Sequence, residues 1–203
     1  MTTALRDELR RRLASDAGRA DAPIVPVAHE TESAVLVPLF VADGELHAVF
    51  TKRRDDLRRH PGEISFPGGR RDHAGEQLHE TALREAEEEV GISPAEVELL
   101  GTLAPVRTLV TGYVIFPHVG LIPRPARAWE ISEREVAQVL ELPLRPLLAS
   151  FDQRPITRRG LTWETDSYVV DDHFIWGATA RILGDLFARI GPLVGADGHA
   201  GAR

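Results

Sequence analysis

An α/β or α+β sandwich is the fold class this sequence predicts, on three observations. Two apolar runs flank an Asp43-Gly44 pair, which reads as a β-hairpin with a tight turn. Two segments carry apolar residues at helical spacing: Leu78, Ala82, Ala86 and Val90, then Ile175, Ala178, Ile182, Leu186 and Ile190. Strand-like runs lie between them, with no internal repeat and no linker long enough to divide the chain.

Residues 2–14 read as a short amphipathic helix with Leu5, Leu9 and Leu13 on one face. A linker with Pro23 and Pro26 follows. Residues 34–41 read as a buried strand, and 46–51 return as the second hairpin arm. A polar, Arg-rich loop over 52–63 leads to a short strand at 64–66, ended by a turn at Pro67-Gly68-Gly69. A helix is predicted over 76–90 and closed by Gly91. Further strands are expected at 97–104, 113–122, 138–143 and 167–170, and a last helix over 174–190. The expected organisation is an N-terminal helix and linker (1–30), one globular domain (31–192) and a flexible tail (193–203).

Composition narrows the function classes. The chain has 203 residues, 43% of them hydrophobic and 27% charged, as in an ordinary globular domain. It has no cysteine, which excludes a disulfide framework, a thiol nucleophile and Cys-ligated zinc or iron–sulfur. A net charge of −7 argues against general binding to nucleic acid or to an anionic membrane. No apolar run approaches the ~20 residues of a membrane span, and residues 1–16 lack the apolar centre of a signal peptide. The expectation is a cytoplasmic protein acting on a small molecule, with no nucleic-acid or membrane partner. A homodimer is left open.

The informative segment is Arg84-Glu85-Ala86-Glu87-Glu88-Glu89-Val90-Gly91-Ile92. On a helix Glu85, Glu88 and Glu89 stand at i, i+3 and i+4 and share a face. Three carboxylates there repel one another unless a divalent cation joins them, and hard oxygen ligands suit Mg²⁺ or Mn²⁺. An isolated pattern of this kind also fits a solvated helix face. The context adds weight. Residues 52–60 carry five basic and two acidic side chains, while 76–89 carry six Glu and one Arg. A cationic loop beside an anionic helix suits a phosphate substrate bridged by metal ions.

At these residues the sequence resembles the Nudix hydrolase family, whose box runs G-x5-E-x7-R-E-U-x-E-E-x-G-U, with U a bulky aliphatic residue. Glu76, Arg84-Glu85, Glu88-Glu89, Gly91 and Ile92 fall in register. Six residues rather than five separate Gly69 from Glu76, and Ala86 stands at the first aliphatic position. A narrower resemblance is to the coenzyme A pyrophosphatase branch, with L-L-T-x-R-(S/A)-x3-R-x3-G-x3-F-P-G-G upstream of its box. Thr51, Arg53, Arg58, Gly62 and Phe66-Pro67-Gly68-Gly69 match; Val49 and Phe50 replace the leucines, and Arg54 replaces the small residue. The runs Thr111-Gly112-Tyr113 and Ile175-Trp176-Gly177-Ala178-Thr179-Ala180 are also similar to this branch.

The resemblance implies an α/β/α sandwich with a mixed β-sheet, and hydrolysis of a diphosphate with Mg²⁺ or Mn²⁺. Glu85, Glu88 and Glu89 would bind metal, and Glu76 and Arg84 would steady the helix and the loop before it. Gly69 and Gly91 would be turn positions where a side chain would intrude, and Gly68 and Gly69 would line the substrate beside Arg53 and Arg58. Arg53 and Arg58, with Arg54 or Lys52 as helpers, would hold phosphates. The substrate would be coenzyme A, cut to adenosine 3′,5′-bisphosphate and 4′-phosphopantetheine. Glu135 is the favoured general base, with Glu130 and Glu133 as rivals. His60 could touch phosphate or be solvated, Trp176 could stack on adenine or be core, and Phe66 is expected in the core. A Nudix enzyme for ADP-ribose or a nucleotide sugar is the first alternative. An inactive ligand-sensing module is the second, weakened by the intact carboxylates.

Overall fold

The computed structural model describes residues 2–14, 30–56, 62–108, 112–126, 128–158 and 160–195. The hairpin joins β1 (Thr31–Ala42) to β2 (Glu45–Arg53), with Ala42 opposite Glu45. Asp43 and Gly44 both take left-handed angles (φ 51° and 85°), as a two-residue hairpin turn requires. The hairpin arms stay paired only from Leu39/Ala48 to Ala42/Glu45. Where they part, β3 (Ile64–Ser65) pairs with β2 and β4 (Gly68–Arg70) pairs with β1. Pro38, which has no N–H to give, falls in the gap between those two registers of β1.

On its other edge β1 runs parallel to β7 (Tyr113–Leu121) along its length. β5 (Glu98–Thr102) and β6 (Val106–Arg107) pair antiparallel with β7, and β8 (Val136–Pro143) with β2. The sheet is therefore mixed. Helix α2 (Leu78–Val90) covers one face, where Ala34, Leu36 and Phe40 of β1 pack with Ala82, Ala86 and Val90. The opposite face meets α1 (Thr3–Ala14), α3 (Leu144–Ala149) and α4 (Gly177–Val194), through Val37, Leu39, Phe50, Val119, Leu183 and Ile190. Being buried on both faces is why 34–41 reads as an unbroken apolar run rather than an alternating one. The layers make the expected α/β/α sandwich. A second, antiparallel sheet is formed by β9 (Asp152–Arg158), β10 (Leu161–Val170) and β11 (His173–Trp176).

Several elements differ from the sequence reading. Pro67-Gly68-Gly69 is not a turn: Gly68–Arg70 is a strand, and neither glycine has positive φ. Phe174–Trp176 belong to a strand rather than to the last helix, which starts at Gly177 and reaches Val194. Phe174 and Ile175 pair with β10, and β-branched and aromatic residues suit that ladder. β10 extends back from 167–170 to Leu161 by pairing with β9, and its polar first half carries no apolar signal in the sequence; β9 and α3 are likewise additions to the sequence reading. The first helix packs tightly: Leu9 and Leu13 are buried, Arg6 and Arg10 both pair with Glu98, and Arg12 donates to the Arg189 carbonyl at 3.2 Å. Most of the linker and tail (15–29 and 196–203) lies outside the described residues. Among the described residues no helix is long and apolar enough to cross a membrane.

Candidate active site

The site forms where α2 crosses the splayed hairpin. Gln77 caps the start of α2, its N–H donating to Glu80 at 2.8 Å. Gly91 ends it in a left-handed conformation (φ 74°), with Gly91 N–H donating to Glu87 O at 2.9 Å. A Cβ on Gly91 would also stand 2.8 Å from the Cβ of Glu130, so space and backbone both demand glycine.

Glu76 lies just before the helix rather than on it. Its carboxylate accepts Arg84 Nε at 2.8 Å and the Asp72 N–H at 2.8 Å. Those contacts, the Arg84 bond foremost, hold it down at about 2, and Glu76 in turn holds the Arg84 guanidinium above its ordinary value. Arg84 also donates to the Arg70 carbonyl at 3.0 Å, tying α2 to the end of β4. The steadying role suggested for this pair thus has a geometric basis.

The three box carboxylates separate into two positions. Glu89 is buried (7% exposed), and its Oε2 accepts the Gly68 N–H at 3.1 Å. Burial pushes its carboxyl up to about 8; the Gly68 bond opposes the shift, while Glu85 and Glu135 add to it and Arg53 opposes it. Glu85, one turn earlier, lies against Gly69, where any Cβ would collide with its carboxylate. Burial raises Glu85 too, with Arg84 opposing at 3.0 Å. Gly68 and Gly69 are therefore glycines for close approach and not for turn geometry: a Cβ on Gly68 would meet the Ala34 carbonyl and Val35. Glu88 is mostly exposed, 3.5 Å from Arg84 Nη1. The shared face expected from spacing is thus divided, with Glu85 and Glu89 turned to the glycine strand and Glu88 outward.

At the other rim stands Arg53, the last residue of β2. Its Nη1 is 3.6 Å from the Glu135 carboxylate, and its buried Nε has no hydrogen-bond partner among the described residues. Glu135 is thus the candidate base that reaches the site. Glu130 backs onto Gly91, and Glu133 turns its carbonyl to Arg54 Nη1 at 2.6 Å. Arg54 is engaged there and with Asp56 at 2.8 Å, instead of with the Arg53 rim. Arg58 and His60 lie outside the described residues. Phe66 is core, stacked on Phe50 at 4.6 Å. Trp176 closes β11 opposite Ser167 and precedes α4 instead of leading it. Sequence reasoning missed the Gly68 N–H and Ser132, whose N–H donates to Glu89 O at 3.0 Å; backbone donors leave no trace in residue type.

The donor set fits a hard divalent cation. Glu85, Glu88 and Glu89 offer only carboxylate oxygens, and burial of Glu89 beside two other acids makes a negative potential that a cation relieves. Among the described residues no three acidic or histidine side chains converge closely enough to hold a metal ion, and Arg84 Nη1 pairs with both Glu85 and Glu88. Mg²⁺ typically takes one or two carboxylates and leaves other positions to water and phosphate, so an open set suits it.

Comparison with known proteins gives one consistent answer. The family model described as NUDIX domain matches residues 30–159. The chain is 41% identical over 167 residues to the uncharacterized Nudix hydrolase NudL of Enterobacter sp. (strain 638), covering 81% of this chain and 85% of that protein. NudL of Salmonella heidelberg (strain SL476) is 40% identical over 171 residues, with 81% and 88% covered. The MutT/nudix family protein from Enterococcus faecalis superposes with a TM-score of 0.56 over 95% of this chain and 75% of that one, at 15% identity, a likeness of fold.

Proposed function

This chain belongs to the Nudix hydrolase family, and from that premise we propose that it hydrolyses the diphosphate bond of coenzyme A, with Mg²⁺ or Mn²⁺ as cofactor. Diphosphate hydrolysis is the chemistry of the family, and its members generally use divalent ions. One observation supports a phosphate ligand at this site: Arg53 Nε is a buried donor without a partner among the described residues, on the rim that Glu89 and Glu135 share. A buried unsatisfied guanidinium nitrogen costs free energy unless a ligand completes it. Phosphate oxygen is the suited acceptor. Arg53 also belongs to the upstream motif that separates the coenzyme A branch from other Nudix enzymes.

The residues then divide the work. Arg53 binds and orients the diphosphate. Glu85, Glu88 and Glu89 would hold the divalent ion, which supplies charge neutralisation on the phosphate oxygens when bound. Glu135 accepts a proton from the attacking water. Water adds to one phosphorus, the bond from that phosphorus to the bridging oxygen breaks, and the leaving phosphate departs. The products are adenosine 3′,5′-bisphosphate and 4′-phosphopantetheine. No covalent enzyme intermediate is required.

The test is a panel of diphosphates (coenzyme A, dephospho-coenzyme A, ADP-ribose, nucleotide sugars) incubated with either ion, with products identified by mass in ¹⁸O-water. The expected result is cleavage of coenzyme A, with one label in one product phosphate within a single turnover. Turnover of ADP-ribose alone would replace the substrate assignment. No turnover of any diphosphate would point to a ligand-sensing module.

A further inference from the structure

Arg54 is the residue at which this chain departs most clearly from the motif it resembles, since a large cation stands where that motif has serine or alanine. The structure gives it a definite task. Its Nε and Nη2 form a fork on the Asp56 carboxylate, both at 2.8 Å. Its Nη1 donates to the Glu133 carbonyl at 2.6 Å, and its backbone N–H donates to the Glu135 carbonyl at 3.2 Å. Asp56 thus fixes the plane of the guanidinium, and the guanidinium fixes the turn.

That turn is short and held from both sides. The Glu135 and Val136 N–H groups both donate to the Ser132 carbonyl, at 3.0 and 2.9 Å. On the α2 side the Ser132 N–H donates to Glu89 O at 3.0 Å. On the β2 side the contacts are those of Arg54. Residues 132–135 therefore bridge the end of the catalytic helix and the end of β2, and Glu135 projects from the bridge to within 3.6 Å of Arg53.

We propose that Arg54 is a positioning residue, which clamps the Ser132–Glu135 turn so that the Glu135 carboxylate stands beside Arg53 and Glu89. The inference rests on the reading of Glu135 as the proton acceptor. It differs from a role in phosphate binding, because the guanidinium is already committed to Asp56 and to a carbonyl. Both Arg54 and Asp56 are partly solvated, so the clamp adds little to global stability. Its effect falls on geometry, and a displacement of about 1 Å in a reacting group can lower a rate by up to about 100-fold.

The experiment compares wild type with Arg54→Ala, Arg54→Lys, Glu135→Gln and the double variant Arg54→Ala/Glu135→Gln. Arg54→Ala should lower kcat by about tenfold or more and leave KM within about twofold. Arg54→Lys should fall between, since an ammonium can still donate to the Glu133 carbonyl but cannot form the fork. The double variant should be no slower than Glu135→Gln alone, because Arg54 acts through Glu135. Amide hydrogen exchange read at Glu135 and Val136 should be faster in Arg54→Ala than in wild type, with global melting little changed. Losses that multiply in the double variant, or a KM that rises while kcat holds, would overturn the proposal in favour of direct phosphate binding. Unchanged exchange at the turn would overturn it whatever the rates. A wild-type protein that hydrolyses no diphosphate would refute the function assigned above, and the clamp would then stand or fall on the exchange data.

Discussion

Replacing Glu89 with Gln removes a buried titratable group from the site and almost nothing else. The carboxamide keeps the size of the side chain and an oxygen to accept the Gly68 N–H. Wild-type Glu89 is raised from 4.5 to about 8, first by burial and further by Glu85 and Glu135. A raised carboxyl pKa means that the folded protein binds this proton more tightly than the unfolded chain does. The contribution of Glu89 to stability is therefore intact below pH 4.5, declines as pH rises, and is lost above about pH 8.

The size of the effect follows. Each pH unit of that window is worth about 1.4 kcal/mol, which sets a ceiling of about 5 kcal/mol. Water drawn to the ionised group reduces this to about 2–4 kcal/mol. Urea denaturation of the metal-free proteins at pH 5, 7 and 9 reads it directly. The two proteins should be closely matched at pH 5, and the Gln variant should be the more stable by about 2–4 kcal/mol at pH 9. Hydrolysis should meanwhile fall by a factor of ~10³ or more, since a metal ligand is gone. Added Mg²⁺ should stabilise wild type and not the variant. A wild type that loses no more stability than the variant between pH 5 and 9 would refute the electrostatic argument; an active variant would refute the metal assignment.

Three further outcomes are expected. Arg84→Ala leaves Glu76 without its main partner and should cost about 2–3 kcal/mol at pH 7. Because Glu76 is held down at about 2, that loss should shrink as pH falls from 4.5 toward 2, which an acid titration of both proteins checks. Gly69→Ala drives a methyl into the Glu85 carboxylate, so activity should fall at least tenfold while thermal melting shows a fold retained at a cost of about 1–3 kcal/mol. Arg53→Ala should lower kcat/KM for coenzyme A and dephospho-coenzyme A alike by roughly 10- to 150-fold, since Arg53 is proposed to hold the diphosphate; a loss confined to coenzyme A would move it to the 3′-phosphate.

Much of the sandwich was legible because burial on two faces writes itself into composition. The run 34–41 is apolar throughout since helices cover β1 on both sides, and Asp43-Gly44 marked the hairpin because few residues accept its angles. The second sheet was hard to see for the opposite reason. β9 is exposed along most of its length and carries polar residues on both sides, so no period of two stands out. Phe174–Trp176 read as helix in sequence because Ile175 fits the apolar spacing of α4, whereas the strand ladder sets Ile175 opposite Tyr168. The box glycines were found by spacing, but the reason for them was not. A strand glycine that makes room for a carboxylate looks the same in sequence as a turn glycine.

The carboxylates of the box show what spacing leaves out. Glu76 and Glu89 are both buried glutamates, yet one is held at about 2 and the other pushed to about 8. The difference lies in their partners. Glu76 meets a guanidinium and a backbone N–H, which repay its desolvation. Glu89 meets one N–H and two neighbouring acids, which do not. Such a carboxylate destabilises the empty protein only as pH rises toward 8 and ionises it, and a nearby cation would favour that ionised form. Glu76 is therefore ionised at any ordinary pH, whereas Glu89 in the empty protein holds its proton up to about pH 8, and a cation that bound there would displace it. Glu88, solvated and close to Arg84, lies between these extremes and can turn toward an ion at little cost.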